Sequence, residues 1–467
     1  MSIPFTGFNT APTVYGHVQA TSQQAPSLEK YDSVVIGGGL AGLSTAIELA
    51  EKGQKVLVLE AKKIGDGASG RNGGQLWPGF EGDLSSMQEE HGDNHANSAW
   101  ALVNDGLRTV HSRLESHPTK CDFKLGVLLA AMDEDDNQWC KDEAKVFADA
   151  GFTFAKYVDA ETIKDKLYNT TIFTGGLLYQ GDDPKAQYGH LNPVKYVDHL
   201  AKMAQKLGVE IMQESPVTGV SGEKGNFAID TKLGQARADT VVFATGAEFI
   251  RPEGVGYDLL PRHFIRAQTV ILATEPMSRE LASQIIPGTA CFADTREVAM
   301  NYGRIVEAND GTDRVRLTFG GADALSQVQT AFAARTIENE MYNTFPLLKE
   351  HGIKVEQAWG GNCDLSPSAL PKLSEVKPGM YQMSGFSGQG NVLTAVLGNA
   401  VAEQITTGAS EKFELLASLT AEDRPFNRFE TIAKLGVAAG MVKDGLVEKY
   451  EGFKEKLQAR RASAPAA

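Results

Sequence analysis

The stretch at residues 31–60, YDSVVIGGGLAGLSTAIELAEKGQKVLVLE, constrains this chain more than any other. Val34, Val35 and Ile36 form a short apolar run that predicts a buried strand. Gly37, Gly39 and Gly42 then supply a G-x-G-x-x-G spacing where the strand passes into a helix. The first glycine allows the tight turn, the second lets the backbone approach a pyrophosphate, and the third sits where helix packs on sheet. Leu40 and Ala41 lie in the first turn, where helix amides and the positive dipole end face an anion. Gly42, Ala46 and Ala50 recur every fourth residue, which gives the helix a flat face of small side chains. Gly53 closes the helix, residues 55–59 predict a second strand, and Glu60 ends it, followed by Ala61. An acid in that place accepts the ribose hydroxyls of an ADP moiety and repels a 2′-phosphate. The stretch therefore predicts an ADP-containing dinucleotide, and by itself leaves FAD and NAD open.

At 467 residues the chain is long enough for two or more lobes. A 42% hydrophobic and 22% charged composition is that of a globular protein rather than a disordered one. The net charge of −14 argues against nucleic acid and anionic membrane as partners. Four cysteines, at 121, 140, 291 and 363, show neither C-x-x-C spacing nor a disulfide framework. The first thirty residues lack a basic segment followed by an apolar core, and no run of eighteen apolar residues occurs. The expectation is a reducing, cytoplasmic setting without a transmembrane segment.

Residues 1–30 read as a polar arm over the surface, with Tyr15 as an anchor. Residues 64–79 are too glycine-rich for strand or helix, and residues 83 to about 161 carry helical spacings. At 192–214, Asn192 caps a helix, Pro193 takes its first position, and Val194, Val197, Leu200, Ala201, Ala204 and Leu207 make one apolar face. Residues 209–212 follow as a strand. This pair belongs with the first in one parallel sheet, so the intervening segment reads as an insertion. Residues 239–247 predict a return to that sheet. Residues 262–355 favour strands, at 269–273, 299–302 and 314–319, with a helix at 331–345. Another strand is expected at 380–383 and a helix at 392–405. Beyond 412 the chain reads as a charge-rich helical tail, and residues 436–456 could make an oligomer contact. His91 and His95 stand four apart beside Glu89 and Glu90, but lack a third ligand, so no metal site is expected.

Five motifs together resemble the FAD-dependent glycine/D-amino-acid oxidase family, in its amine-oxidising branch. They are IGGGLAGL with Glu60, GASGRNGGQ at 67–75, GHLNPVKYVDHLAKMAQKLGVEI with Val217 after it, VVFATGAE at 241–248, and WGG…LPKL…GFSGQGN at 359–391. The resemblance implies an α/β fold: a Rossmann-like FAD-binding domain on a central parallel sheet, with an inserted α+β substrate domain on an antiparallel sheet. Residues 31–82, 185–261 and 356–411 would make the first, 83–184 and 262–355 the second. For FAD it implies contacts from Gly67, Ala68, Ser69, Arg71, Asn72, Gly73, Gly74 and Gln75 along the ring edge. Thr245 and Gly246 would lie beside the cofactor, and Val217 at the adenine. Gly385, Ser387, Gly388, Gln389, Gly390, Asn391 and Val392 would aim a helix N-terminus at the pyrimidine edge. Arg71 would place positive charge near the reduced flavin.

For the substrate, Tyr302 and Arg304, from a strand at 299–304, would line the pocket with Gln75 and Trp77 from the flavin loop. Cys363 lies about two residues off the register at which relatives attach FAD covalently, so non-covalent FAD is implied. The expected reaction is oxidation of an amine C–N bond, in a γ-glutamylated polyamine or an amino acid, with O2 or another acceptor taking the electrons. Two alternatives stay open. One is a flavin monooxygenase of the aromatic hydroxylase type, although the late motif here is GFSGQGN without that class's Asp-Gly pair. The other is a non-catalytic FAD-carrying subunit.

Overall fold

In the computed structural model, residues 13–22, 30–80, 83–247, 264–296, 300–324, 327–366 and 368–420 are described, with side chains at 322–332 excepted. The strand Tyr31–Ile36 is buried at every position but one and runs parallel to two neighbours, Val56–Leu59 and Gly234–Phe243. Glu210–Met212 extends this sheet on one side and Met380–Ser384 on the other, both in parallel register. Such strands, covered on both faces, read as unbroken apolar runs. The hairpin Val217–Glu223 and Asn226–Thr231 pairs antiparallel with the first half of Gly234–Phe243.

Helix Leu40–Glu51 covers one face of the sheet and touches helix Gly390–Thr407 at close quarters. A Cβ on Gly398 would stand 2.9 Å from the Thr45 amide nitrogen. Helix Pro193–Lys206 begins as its sequence predicts: the Asn192 side chain accepts from the amides of Val194 and Lys195, both at 3.1 Å. Such a cap is worth about 1 kcal/mol. Its apolar face is buried through Ala204, but Leu207, expected on that face, is the C-cap residue and stays 43% exposed.

A second, nine-stranded sheet is antiparallel apart from one parallel pair, Cys291–Asp294 with Val127–Ala131. Val127–Ala131 and Ala155–Asp159 correct the expectation of helical structure to residue 161. Helices Leu84–His91, Asp93–Glu115 and Glu134–Asp149 do form, yet VLLAA is a continuous apolar run with all five residues buried. A run that short carries no periodicity to separate strand from helix. The strand expected at 299–302 is instead Tyr302–Glu307, and Ala299 lies outside the described residues. Its partner is the long strand Arg314–Ala324, which also pairs with Ile265–Thr274. Ile265–Thr274 pairs in turn with Val355–Leu365, the sheet's last strand.

Tyr15 is 2% exposed and meets Trp359 edge-on, ring centroids 5.4 Å apart, so the early chain is pinned to the second sheet. His91 and His95 fall on different helices, separated at Gly92. Among the described residues no helix is long and apolar enough to cross a membrane. The segment 436–456 lies outside the described residues.

Candidate functional site

The Gly37–Gly42 turn is fixed by contacts that only glycine permits. Gly37 has φ +114°, and a Cβ there would lie 2.3 Å from the Ala244 carbonyl oxygen. A Cβ on Gly42 would lie 1.9 Å from the Gly37 carbonyl oxygen. The Gly38 amide donates to Glu60 Oε2 at 2.7 Å and the Lys62 amide to Oε1 at 2.8 Å. This clamp places the carboxylate at the end of the second parallel strand. Burial raises the Glu60 pKa against the opposing pull of these two bonds. Ser69 Oγ accepts from the Leu40 amide at 2.9 Å and so ties residues 68–70 to the turn.

Residues 68–75 wind around one side chain. Asn72 Nδ2 donates to the Ala68 and Ser69 carbonyls at 3.0 Å, and Asn72 Oδ1 accepts from the Gly74 amide at 2.7 Å. Asn391, in the first turn of helix Gly390–Thr407, donates to Asn72 Oδ1 at 3.2 Å and to the Gln75 carbonyl at 2.8 Å. Segments more than three hundred residues apart are thereby joined.

Between these pieces lies a cavity of about 1330 Å³, open mouth included. Gly37, Gly39, Leu40, Ala41, Glu60 and Ala61 line one part of it, with Val217, Thr245 and Gly246. Gly67, Ala68, Ser69 and Asn72 line it as well, and so do Gly388, Gly390 and Asn391. Asn362, Cys363 and Asp364, at the end of strand Val355–Leu365, complete the wall.

Of the remaining sequence-derived residues, Gly42, Gly73, Gly74, Gln75, Gly385, Ser387, Gln389 and Val392 are not on this wall. Neither is Arg71. Its Nε donates to the Gly360 carbonyl at 2.6 Å, its own carbonyl accepts from the Trp359 indole at 3.0 Å, and it borders a separate groove beside Asp66 and His17. Gln75 Nε2 reaches the Phe292 carbonyl at 2.9 Å, while Trp77 packs near Tyr179, 6.2 Å between centroids. The Tyr302 ring lies over Gly320 and Gly73, 3.2 Å from where a Cβ on Gly73 would be. Arg304 is buried beneath the same loop, donating to the Gly73 carbonyl and to His190.

Asp364 is the residue that sequence reasoning passed over. It is 6% exposed, accepts from the Gly385 amide at 2.7 Å, and burial pushes its pKa up to about 6. A single acid in a glycine-rich segment, next to the cysteine already singled out, was the available signal.

The cavity suits FAD on observations of its own walls. Among the described residues a Cβ on Gly67, Gly246 or Gly388 would meet nothing within 4 Å, so these glycines leave room beside the cavity. Asn391 Oδ1 is buried without a hydrogen-bond partner among the described residues, an acceptor awaiting a donor. Glu60 lines the cavity beside the amides of a helix N-terminus, a pairing of acid and amides that suits an ADP moiety. Residues 32–404 match the family model described as DAO, FAD dependent oxidoreductase. The chain is 30% identical to a probable oxidoreductase, OrdL, of Haemophilus influenzae, over 84% of this chain and 86% of that one. It is 29% identical to the gamma-glutamylputrescine oxidoreductase of Escherichia coli, over 83% and 86%. Its fold matches the glycine oxidase of Geobacillus kaustophilus with a TM-score of 0.66 at 17% identity, covering 82% of this chain and 96% of the other. The chain is a member of the DAO family of FAD-dependent oxidoreductases, an enzyme with FAD as its cofactor.

Proposed function

We propose that this protein oxidises the C–N bond of a small amine, a γ-glutamylated polyamine ahead of a free amino acid, and passes the electrons to O2. The observation that carries the reading is the shape of the cavity. It is walled by the dinucleotide turn in one part and by the end of an antiparallel sheet in another, so a substrate held on that sheet meets the flavin end. The likeness to a gamma-glutamylputrescine oxidoreductase supports the choice of amine.

Bound non-covalently, FAD supplies the hydride acceptor: the carbon next to nitrogen gives up its hydrogen with two electrons, and the nitrogen lone pair closes a C=N bond. Water then hydrolyses the imine to a carbonyl and an amine, and O2 takes two electrons and two protons to become H2O2. The protein's own share is alignment and exclusion of water, which hydride transfer chiefly requires. Glu60 and the Gly37–Gly42 amides would hold the ADP half. Asn72 and Asn391 would fix the ring end, through the bond that joins them. In this reading the parallel sheet is the FAD-binding unit and the antiparallel sheet the substrate unit.

The test is anaerobic bleaching of the flavin band by a panel of glutamylated amines, amino acids and N-methyl amino acids. A glutamylated amine should bleach it fastest and, in air, release one H2O2 per turnover without NADPH. Bleaching by none of the panel would refute the reading, and a demand for NADPH would point to a monooxygenase.

A further inference from the structure

Among the described residues three arginines are buried almost completely, and one differs from the others. Arg113, 4% exposed, pairs with Glu48 at 3.1 Å, and Arg316, 7% exposed, pairs with Glu356. Arg304, also 4% exposed, has no carboxylate partner among the described residues. Its Nε donates to the Gly73 carbonyl and its Nη1 to His190 Nδ1 at 3.1 Å. Its guanidinium carbon stands 5.3 Å from the centre of the Tyr15 ring. Nη2 has no hydrogen-bond partner among the described residues and lies 2.7 Å from where a Cβ on Gly74 would be.

His190 does not neutralise this charge. Its Nε2 lies 2.8 Å from the Thr289 carbonyl, so it carries the proton there and leaves Nδ1 as acceptor. Burial, then the Arg304 charge, hold its pKa down to about 3, so the ring is neutral. Among the described residues this buried cation meets a carbonyl, an imidazole lone pair and an aromatic face but no carboxylate, whereas such charges are normally paired. Register places the arrangement under the flavin loop, because His190 pairs with Gln75. Gly73 itself follows Asn72, which is on the cavity wall.

We infer that Arg304 is a positioning residue for the flavin. It fixes the Gly73 carbonyl, and with it residues 72–75, and its unneutralised charge biases bound FAD toward the reduced, anionic form. The counter-charge that the chain omits is the one that reduction creates. The inference rests on FAD occupying the cavity and not on which amine is oxidised.

The experiment compares His190→Asp with His190→Asn in the holoenzyme. Asn Oδ1 and a carboxylate oxygen both stand where His190 Nδ1 accepts, so the two variants present the same acceptor to Arg304 and differ there in charge. The flavin midpoint potential is measured by dye-linked reduction, without an amine. In His190→Asp, the ratio of reduced to oxidised flavin at a fixed potential should fall about tenfold, which is about 30 mV for a two-electron couple. His190→Asn should stay within about twofold of wild type. Equal potentials in the two variants would overturn the electrostatic part. Arg304→Lys keeps the charge and loses the two-armed geometry, so it should keep the potential and raise the FAD dissociation constant about tenfold. An unchanged constant would overturn the positioning part. Should His190→Asp fail to fold, Arg304→Gln against Arg304→Lys makes the same charge comparison. A lower potential in the Gln variant alone supports the inference, and equal potentials overturn it.

Discussion

Asp364→Asn separates an ionisable wall of the cavity from an inert one. The carboxyl ends strand Val355–Leu365 and accepts the Gly385 amide, and the Asp364 carbonyl accepts the Ser387 amide at 3.0 Å. Burial outweighs these backbone bonds and raises the pKa from 3.8 to about 6. For an acid the sign is then fixed. Between those two values the native state binds the proton more tightly than the unfolded chain, so stability falls as pH rises, and the full cost is present above about pH 6. Roughly two units at 1.36 kcal/mol each give about 3 kcal/mol, of which about 2 kcal/mol falls between pH 4 and 7.

Asparagine cannot titrate. Urea unfolding, followed by tryptophan fluorescence at several pH values, should therefore show the variant gaining on wild type by about 2 kcal/mol from pH 4 to 7. The amide NH2 set against a backbone N–H costs about 1–3 kcal/mol at every pH, which moves the whole difference curve but leaves its slope. Asp294, whose pKa burial raises to about 7, titrates in both proteins and cancels. Parallel stability curves for the two proteins would refute the argument, because they would mean that Asp364 is as well solvated folded as unfolded.

Gly67→Val fills open cavity from an extended backbone, φ −78° and ψ −158°, that valine adopts freely. Stability should stay within about 0.5 kcal/mol while the FAD dissociation constant rises at least about tenfold, and unaltered affinity would put Gly67 off the binding wall. Glu60→Ala frees the Gly38 and Lys62 amides and removes the proposed ribose acceptor. By flavin fluorescence titration it should weaken FAD about 10- to 100-fold, the equivalent of one or two charged hydrogen bonds, and full flavin stoichiometry at wild-type affinity would sink that assignment. Arg71→Ala breaks the bond to the Gly360 carbonyl. It should slow flavin reduction about tenfold with FAD retained, and a wild-type rate would show that the loop needs no such tether.

The dinucleotide turn was legible because its glycines answer to neighbours a few residues away or on the adjoining strand. Gly37 needs φ +114° and Gly42 packs against the Gly37 carbonyl, and local spacing encodes both. The Asn192 cap and Pro193 are local in the same way. What the sequence did not reveal depends on long-range register. Tyr302 and Arg304 share a face because Gly303 lies between them, and Tyr302 is opposite Gly320 by strand pairing. A shift of one residue would turn both side chains to the other face. Nothing local announces that shift, nor that Arg304 lies below the Gly73 loop rather than on the cavity wall. Asp364 was passed over for another reason. An acid reads as solvated until the fold buries it, and its burial comes from the Gly385 loop some twenty residues on.

Strand Val355–Leu365 holds both loops that flank the cavity. Trp359 and Gly360 bind Arg71 in both directions, and Asp364 binds the Gly385 and Ser387 amides. Just past its end, the Ser366 amide donates to Ser387 Oγ at 3.1 Å. Each bond is worth about 1 kcal/mol alone, but all of them act through one strand, which Ile265–Thr274 fixes along ten paired positions. The antiparallel sheet therefore cannot move against the dinucleotide turn without pulling on residues 68–75 and 385–391 together. The turn itself is held by the parallel sheet, by Glu60 and by the Ser69 hydroxyl on the Leu40 amide. Changes at Glu60 should thus act on FAD retention alone, whereas changes along Val355–Leu365 should alter FAD retention and flavin reduction at once.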